Sequence, residues 1–294
     1  MKYCFIINPI SGRSGSAVRH EQTIRDILGR KSISFQILTT QARGHAKDLA
    51  RRAAGEGFAV VAVGGDGTVN EVGSALIGSG AIMGIIPKGS GNGLASELGI
   101  PLEPETACRM LLESKILEID AGRLNERHFI NMAGLGLDAQ VGIAFDRHHM
   151  RGKLPYYYLT LRELFYYKSP AVLMEIDGRE RRLNPLLIAI ANGKQYGDGA
   201  QIAPKARLDD GIFHITVIPR LPFWKFLACV PRLFNGTLDQ HPEVATLTAT
   251  SLILRLPHPM PYHVDGEPFC DATELNISLL PKALKILAPK KLKA

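Results

Sequence analysis

Four small apolar residues, Val60 to Val63, run directly into the turn Gly64-Gly65-Asp66-Gly67, and a helical pattern follows from Thr68. An uninterrupted apolar run of this length predicts a buried parallel strand. Glycines between a strand and a helix let backbone N–H groups converge on a ligand, because no Cβ blocks the approach. The whole string therefore predicts a phosphate-binding turn more strongly than an ordinary strand–helix connection, and Asp66 adds a carboxylate for a metal or a proton.

Two more glycine-rich turns occupy equivalent places in the first third of the chain. Asn8 to Gly15 follows the apolar run Tyr3–Ile7, and Pro87 to Gly93 follows the run Ile82–Ile86. In an open parallel sheet such turns collect at the carboxyl ends of the strands, where ligands bind. We therefore expect the three turns to form one site.

The 294-residue chain divides by pattern into two parts. Up to about residue 120, strand-length runs alternate with helical segments, which predicts an α/β domain with a parallel sheet. Residues from about 281 to 294 are candidates to return to this domain. The predicted strands are Tyr3–Ile7, Ile33–Leu38, Phe58–Val63 and Ile82–Ile86, and the predicted helices are Ser16–Leu28, Gly44–Ala54, Thr68–Ile77 and Glu103–Glu113.

Residues 121–280 show short apolar runs separated by turn signals, which predicts a mostly-β, sandwich-like domain. Asp177-Gly178 is a candidate hairpin turn. The predicted strands are Phe129–Ala133, Ala171–Ile176, Leu186–Ala191, Ile212–Ile218, Thr246–Leu256, Met260–Val264 and Leu275–Leu280. Two helical segments interrupt them, Tyr156–Tyr167 and Pro222–Asn235. The second is apolar on more than one face, so it packs in the core or lies at a lipid-facing surface.

Composition narrows the class of protein. No apolar run is long enough to cross a membrane, and the start of the sequence lacks the features of a signal peptide. The net charge of +7 and the lysine-rich stretch from Pro281 suit an anionic membrane surface or a merely solvated terminus. No nucleic-acid motif is present. We expect a cytoplasmic protein whose four cysteines, Cys4, Cys108, Cys229 and Cys270, stay reduced.

Three polar segments of the β half are candidates for chemistry. The turn Asp209-Asp210-Gly211 offers carboxylate and carbonyl oxygens that suit Mg²⁺. The segment His263-Val264-Asp265-Gly266-Glu267 pairs two acids at a turn, as general acid–base chemistry requires. From the residues alone, the first is better explained as a turn before the strand Ile212–Ile218 and the second as an ordinary hairpin turn. The glycine-rich loop Asn192 to Gly199 lines a ligand cleft or serves only as a connector.

Taken together and in this order, the motifs resemble the diacylglycerol kinase catalytic family, and within it a bacterial lipid kinase. The resemblance covers nearly the whole chain. NAD kinases share the turn Gly64 to Thr68, but Asn70-Glu71-Val72 and the distal Asp265-Gly266-Glu267 indicate the lipid kinase branch. The matching segments are Asn8 to Gly12, Thr40 with Gly44-His45-Ala46, Gly64 to Val72, Gly89 to Ala95, Asp210-Gly211 and Asp265-Gly266-Glu267.

The resemblance implies an N-terminal domain like that of phosphofructokinase and NAD kinase, a C-terminal β-sandwich, and ATP and Mg²⁺ as cofactors. It implies that Glu267 is the proton acceptor with Asp265 and Asp66 nearby, and that Asp210 with the carbonyls of Arg207 and Ile212 binds Mg²⁺. The implied ATP contacts are Asn8, Pro9, Ile10, Ser11, Gly12, Thr40, Gly64, Gly65, Asp66, Gly67, Thr68, Val69, Asn70 and Ser90.

One departure bears on the lipid. Gly89-Ser90-Gly91-Asn92-Gly93 is similar to the form found in sphingosine and ceramide kinases, whereas many bacterial members have Gly-Thr-x-Asn-Asp. Diacylglycerol is the expected acceptor at the inner face of the membrane, and a sphingoid base is the competing one, with Asp138 as a carboxylate for its ammonium group or as a helix-capping acid. Two rival hypotheses are a kinase of soluble substrates such as NAD and a catalytically silent regulator. The oligomeric state stays open, a homodimer included.

Overall fold

The computed structural model describes residues 1–11, 16–89, 91–147 and 153–290. The chain divides into two compact units. The N-terminal unit comprises Met1–Ala121 and Pro281–Ala294, and the C-terminal unit comprises Gly122–Leu280. Strands β5 (Lys115–Leu124) and β16 (Glu274–Ala288) each begin in one unit and end in the other.

The N-terminal unit is an α/β fold, as the sequence predicts. Its sheet has the order β2-β1-β3-β4-β16, and each neighbouring pair is parallel. The strands are β1 (Tyr3–Ile7), β2 (Phe35–Thr39), β3 (Ala59–Gly64) and β4 (Ile82–Pro87), and the helices are α1 (Ser16–Gly29), α2 (His45–Gly55), α3 (Asp66–Leu76), α4 (Gly93–Glu97) and α5 (Pro104–Leu111).

Burial explains why these strands form. Every residue of β1 and β3 is buried, which matches the continuous apolar runs of strands covered by helices on both faces. Helix α2 presents Ala46, Ala50 and Ala53 to the interior, and this spacing places them on one face. The register pairs Ile7 with Val63 and Val63 with Ile86, so β1, β3 and β4 end at the same edge.

The C-terminal unit is a mostly-β unit, again as the sequence predicts. Its strands are β6 (Arg127–Phe129), β7 (Met132–Gly136), β8 (Val172–Ile176), β9 (Arg179–Leu183), β10 (Pro185–Ala191), β11 (Phe213–Pro219), β12 (Ala245–Ala249), β13 (Ser251–Arg255), β14 (Tyr262–Val264) and β15 (Glu267–Phe269). Its helices are α6 (Leu137–Arg147), α7 (Lys153–Tyr166), α8 (Phe223–Asn235) and a 3₁₀ turn at Leu238–Gln240.

Two antiparallel layers enclose the core of this unit. One has the order β12-β11-β10-β7-β14-β15, and the other has the order β9-β8-β13-β16. Side chains of both layers share one cluster, in which Phe213 stacks on Phe129 while Leu254 and Ile277 come from the opposite layer. The outer face of the six-stranded layer packs against α6, α7 and α8.

Several boundaries differ from those the sequence predicts. The predicted strand Phe129–Ala133 is wrong as a single strand, because it covers the last residue of β6, a break, and the first two residues of β7. Helix α3 begins at Asp66 rather than Thr68, because Gly65 with extended backbone caps it and an acid is favourable in the first turn. The predicted strand Thr246–Leu256 is two strands, β12 and β13, in different layers. The predicted strand Leu275–Leu280 is the first half of β16. The hairpin at Asp177-Gly178 is confirmed, with both residues at positive φ.

Within the described ranges, no helix is both long enough and apolar enough to cross a membrane.

Candidate active site

The described parts of the three glycine-rich turns lie side by side at the carboxyl edge of the N-terminal sheet. The N–H of Asn8 donates to the carbonyl of Val63 at 3.1 Å, and the N–H of Lys88 donates to the carbonyl of Gly64 at 2.8 Å. Backbone hydrogen bonds therefore join the end of β3 to the segments that follow β1 and β4. The expected residues Gly12 and Ser90 lie outside the described residues.

The glycines of two turns are required by direct contact between the turns. A Cβ built on Gly89 would lie 2.7 Å from the Cα of Gly65, and one on Gly65 would lie 3.1 Å from the Cα of Gly89. Gly64 is equally constrained, since its Cβ would lie 2.5 Å from Oγ1 of Thr68. Gly67 is different: its Cβ would meet no atom within 4 Å, so this glycine faces open space.

Asp66 ties the turn after β3 to the turn after β4. Its Oδ2 accepts the N–H of Asn92 at 2.9 Å, and its Oδ1 accepts the N–H of Gly93 at 2.7 Å. Asn92 in turn closes its own loop, because its side-chain amide donates to the carbonyl of Gly89 and accepts that residue's N–H. The carboxylate therefore fixes the shape of the third turn, a role that the sequence does not reveal.

The remaining expected nucleotide contacts lie at the same edge. Nδ2 of Asn8 donates to Oγ1 of Thr68 at 3.1 Å, and Oδ1 of Asn8 accepts the N–H of Ile10. Thr40 follows β2 and donates its N–H to the carbonyl of Ile7. Pro9 and Ile10 are exposed, Ser11 and Asn70 are half-buried, and Val69 is buried in α3.

Glu71 has a role that the sequence does not reveal. Its two carboxylate oxygens accept the N–H groups of Gly44 and Ala46, at 2.9 and 3.1 Å. These N–H groups lie at the start of α2, where helix geometry leaves them without an intrahelical partner. In the Asn70-Glu71 pair of the motif, Glu71 therefore fixes the start of α2 to α3.

In the C-terminal unit, the segment Asp265-Gly266 is the turn of the β14–β15 hairpin, and both residues have positive φ. The Asp265 carboxylate accepts three backbone N–H groups, from Ile130, Asn131 and Met132, at 2.8 to 2.9 Å. Asp265 therefore anchors the hairpin to the chain before β7. Glu267 is the first residue of β15, opposite Val264, and is half-buried.

A buried polar cluster lies behind the hairpin. Oδ2 of Asp138, at the start of α6, accepts hydrogen bonds from the hydroxyl of Tyr196 at 2.8 Å and from Nε2 of His263 at 3.0 Å. Nδ1 of His263 accepts the N–H of Gly266, so the ring proton resides on Nε2. Gly134 makes room for this contact, because its Cβ would lie 2.3 Å from Nε2 of His263.

Two opposing effects act on the pKa of Asp138, the acid of this cluster. Burial pushes the pKa of Asp138 upward, but the neighbouring His263 and the hydrogen bonds to the carboxylate outweigh it, so the pKa lies below its ordinary value. Burial, with a contribution from Asp138, also raises the pKa of the Tyr167 hydroxyl to about 12. Asp138 is thus a hydrogen-bonded carboxylate whose side chain is only 11% exposed.

The expected magnesium ligands lie in the loop before β11. Oδ2 of Asp210 is 3.0 Å from Nε2 of His214, and Oδ1 accepts the N–H of Ile212 at 3.3 Å. Arg207 is exposed and contacts Asp209. The oxygen donors that these residues offer are of the type that Mg²⁺ prefers. Among the described residues, no three acidic, histidine or cysteine side chains are grouped to hold a metal.

An apolar surface distinguishes the two helices α7 and α8. We call it the aromatic face, and its exposed side chains are Tyr158, Leu161, Phe165, Tyr166, Phe223, Trp224, Leu227, Val230 and Phe234. Phe165 stacks on Phe223 with ring centres 5.3 Å apart. A cleft of about 350 Å³ opens beside this stack, lined by Leu164, Leu186 and Arg220 among others.

Glycine-rich turns at the carboxyl edge of a parallel sheet suit phosphate binding, and in this chain a mostly-β unit follows the α/β unit that carries them. Family comparison agrees: residues 2–124 match the diacylglycerol kinase catalytic domain, and residues 131–288 match the YegS C-terminal NAD kinase beta sandwich-like domain. The chain therefore belongs to the diacylglycerol kinase catalytic family and is a lipid kinase.

Individual relatives span the same length. A "Probable lipid kinase YegS-like" protein of Chromohalobacter salexigens is 30% identical over 91% of this chain and 89% of its own. A diacylglycerol kinase of Mycobacterium tuberculosis is 30% identical over 98% of this chain and 96% of its own. The crystal structure of a diacylglycerol kinase from Bacillus anthracis has a TM-score of 0.76 at 19% identity, covering 99% of this chain and 98% of that one. This last likeness shows the fold.

Proposed function

We propose that this lipid kinase transfers the γ-phosphate of ATP to the free hydroxyl of diacylglycerol. The observation that carries the proposal is the joined set of turns at the ends of β1, β3 and β4, with Gly67 facing open space. The named relative from M. tuberculosis supports diacylglycerol as the acceptor.

The N-terminal turns have the chemistry that phosphoryl transfer needs. The transferred group must be held in line with the acceptor oxygen, and its negative charge must be offset. Backbone N–H groups at glycine-rich turns and at the start of α3 serve both needs without any movement during the reaction. In this proposal Asp66 positions the turns that bind the nucleotide, and it remains a candidate for direct contact with the reacting groups.

The hairpin supplies the proton acceptor. Asp265 already accepts three N–H groups, so it positions the hairpin, and Glu267 is the carboxylate that takes the hydroxyl proton. A carboxylate is a weak base for an alcohol. It suffices here because the proton leaves late in a loose transition state, and correct positioning contributes more to the rate than basicity does.

The aromatic face supports a lipid rather than a soluble substrate. Large apolar side chains that stay exposed in one patch mark a surface for another molecule, and Trp and Phe beside Lys and Arg suit a membrane interface. We propose that this face rests on an anionic leaflet and that the cleft beside Phe165 and Phe223 takes an acyl chain. Phosphorylation of a soluble acceptor such as NAD does not require an exposed apolar surface of this kind.

The buried cluster favours diacylglycerol over a sphingoid base. A sphingoid base carries an ammonium group that needs an accessible carboxylate. Asp138, the expected partner, already accepts hydrogen bonds from Tyr196 and His263, and its side chain is almost fully buried. Capture of an ammonium group would require these bonds to break.

Magnesium at Asp210 belongs to the same proposal. Asp210 and the carbonyls of Arg207 and Ile212 would hold the ion, which would stabilise the loop before β11 electrostatically. The Asp210→Ala variant should melt at a lower temperature than the wild type in the presence of Mg²⁺ and should no longer gain stability from the ion. A magnesium-dependent rise in melting temperature that survives in the variant would contradict this site.

The deciding experiment is transfer of label from γ-labelled ATP to lipid. Mixed phosphatidylglycerol and phosphatidylcholine vesicles would carry diacylglycerol, sphingosine or ceramide in parallel assays, and a further assay would contain NAD without vesicles. We expect labelled phosphatidic acid from diacylglycerol. Glu267→Gln should abolish it while the matched variant Glu118→Gln, an exposed glutamate, retains it. A labelled sphingoid base or labelled NAD would overturn the acceptor, and full activity of Glu267→Gln would overturn the proposed base.

A further inference from the structure

Lys88 is a buried cation at the edge of the nucleotide turns. It follows β4 directly and donates its N–H to the carbonyl of Gly64. The residue is only 9% exposed, and its ammonium nitrogen is fully buried with no hydrogen-bond partner among the described residues. Protein interiors rarely hold an ammonium group in this state, because desolvation is costly unless an anion or acceptor offsets it.

Among the described residues, burial lowers the pKa of Lys88 and no carboxylate acts to raise it. His20 of α1 is close enough for Lys88 to lower its pKa, after burial as the larger cause, and Arg19 acts in the same direction. Glu103 is the carboxylate that faces His20 from the start of α5. Both of its oxygens already accept hydrogen bonds from the first turn of α5. The carboxylate that acts on His20 is therefore already engaged by the helix start, and it does not offset the charge of Lys88.

We propose that the ammonium of Lys88 binds a phosphate of the nucleotide, with the imidazole ring of His20 nearby. The inference rests on the proposed use of ATP and adds a residue that none of the turn motifs includes. A phosphate supplies the negative charge that the buried ammonium lacks, and the neighbouring turns present the backbone N–H groups that such an anion needs. Inorganic polyphosphate shares this chemistry, so it serves as a separate probe.

Substitution of Lys88 by methionine should separate binding from stability. Removal of a buried ammonium without a partner should raise the melting temperature of the nucleotide-free protein, whereas loss of the phosphate contact should weaken ATP binding by about tenfold to a hundredfold. Adenosine affinity should not change. The matched variant Lys31→Met, which replaces an exposed lysine of the same unit, should alter neither property.

Isothermal titration calorimetry tests the proposed phosphate contact. The proteins to be titrated are the wild type, Lys88→Met, Lys88→Gln and Lys31→Met, and each is titrated with ATP, tripolyphosphate and adenosine. The proposal is supported if both Lys88 variants bind ATP and tripolyphosphate more weakly than the wild type but bind adenosine equally well. If wild type and both variants bind ATP equally, the role of Lys88 is overturned while the kinase proposal stands. If the Lys88 variants have lower melting temperatures and also bind adenosine more weakly, Lys88 has a structural role and the proposal fails. If wild type binds tripolyphosphate through Lys88 but not ATP, the site survives and ATP use is overturned.

Discussion

At the scale of single residues, the most informative finding is that two of the expected catalytic acids are also structural acceptors. Asp66 receives two N–H groups from the third turn, and Asp265 receives three from the chain before β7. Hydrogen bonds to an ionised acceptor are among the stronger ones in proteins. Loss of activity on removal of either acid therefore has to be read together with a measurement of stability.

Asp66→Ala should abolish kinase activity and should also destabilise the protein. The change leaves the N–H groups of Asn92 and Gly93 without their acceptor, and we expect the free energy of unfolding to fall by about 2–4 kcal/mol. Urea denaturation measures this, with Asp48→Ala, an exposed acid in the first turn of α2, as the control. A variant with unchanged stability would contradict the structural role, and near-normal turnover would contradict the functional one.

Lys88 gives a pH dependence with a defined sign. Burial lowers its pKa in the folded protein below the ordinary 10.5, so the unfolded chain binds the proton more tightly. Stability therefore rises with pH between the lowered value and about 10.5, because the folded state no longer holds a buried charge. The melting-temperature advantage of Lys88→Met over wild type should shrink across this window. An advantage independent of pH would mean that charge is not its cause.

At the scale of elements, α8 shows how one helix serves two environments. Cys229 is buried on its inner side, while Trp224 and Leu227 are exposed on its outer side. The inner side packs on the outer face of the six-stranded layer. The core-packing interpretation of the sequence therefore applies to one face of the helix, and the other face is the one available to a lipid surface.

Trp224→Ala should reduce binding to anionic vesicles by about tenfold, since the exposed indole is the largest apolar group that the membrane would bury. The melting temperature should stay unchanged, because the side chain is 67% exposed. Vesicle sedimentation measures the binding. Leu102→Ala, an exposed leucine in the N-terminal unit, is the matched control. Equal loss in both variants would show that the aromatic face is not the docking surface.

The predictable elements are those that burial alone determines. The strands β1, β3 and β4 match the sequence prediction within two residues, because strands buried on both faces leave continuous apolar runs. The division of Thr246–Leu256 was not predictable, since one apolar pattern continues while the chain changes layer. The cluster of Asp138, Tyr196 and His263 was equally hidden, because its members are far apart in sequence and no spacing rule connects them.

At the scale of the whole molecule, the net charge of +7 and the aromatic face would make separate contributions to binding of an anionic membrane. Charge attraction to an anionic leaflet is screened by salt, whereas apolar insertion is not. Vesicle binding should therefore weaken as salt rises and then level off at the contribution of the aromatic face. In the Trp224→Ala variant, the vesicle binding that persists at high salt should be weaker than in the wild type. Tight binding to neutral phosphatidylcholine vesicles at low salt, equal to that on anionic vesicles, would contradict the electrostatic part.

The bond between Asp66 and the third turn has a consequence for folding. Its two partners lie 26 and 27 residues further along the chain, so we expect the segment at Asn92 and Gly93 to become ordered only after β3, α3 and β4 have assembled. The amide hydrogens of Asn92 and Gly93 should then exchange with solvent as slowly as those of the strands, although they lie at the start of a short helix and outside any strand. A nucleotide that recognises this turn would report on completed folding of the unit.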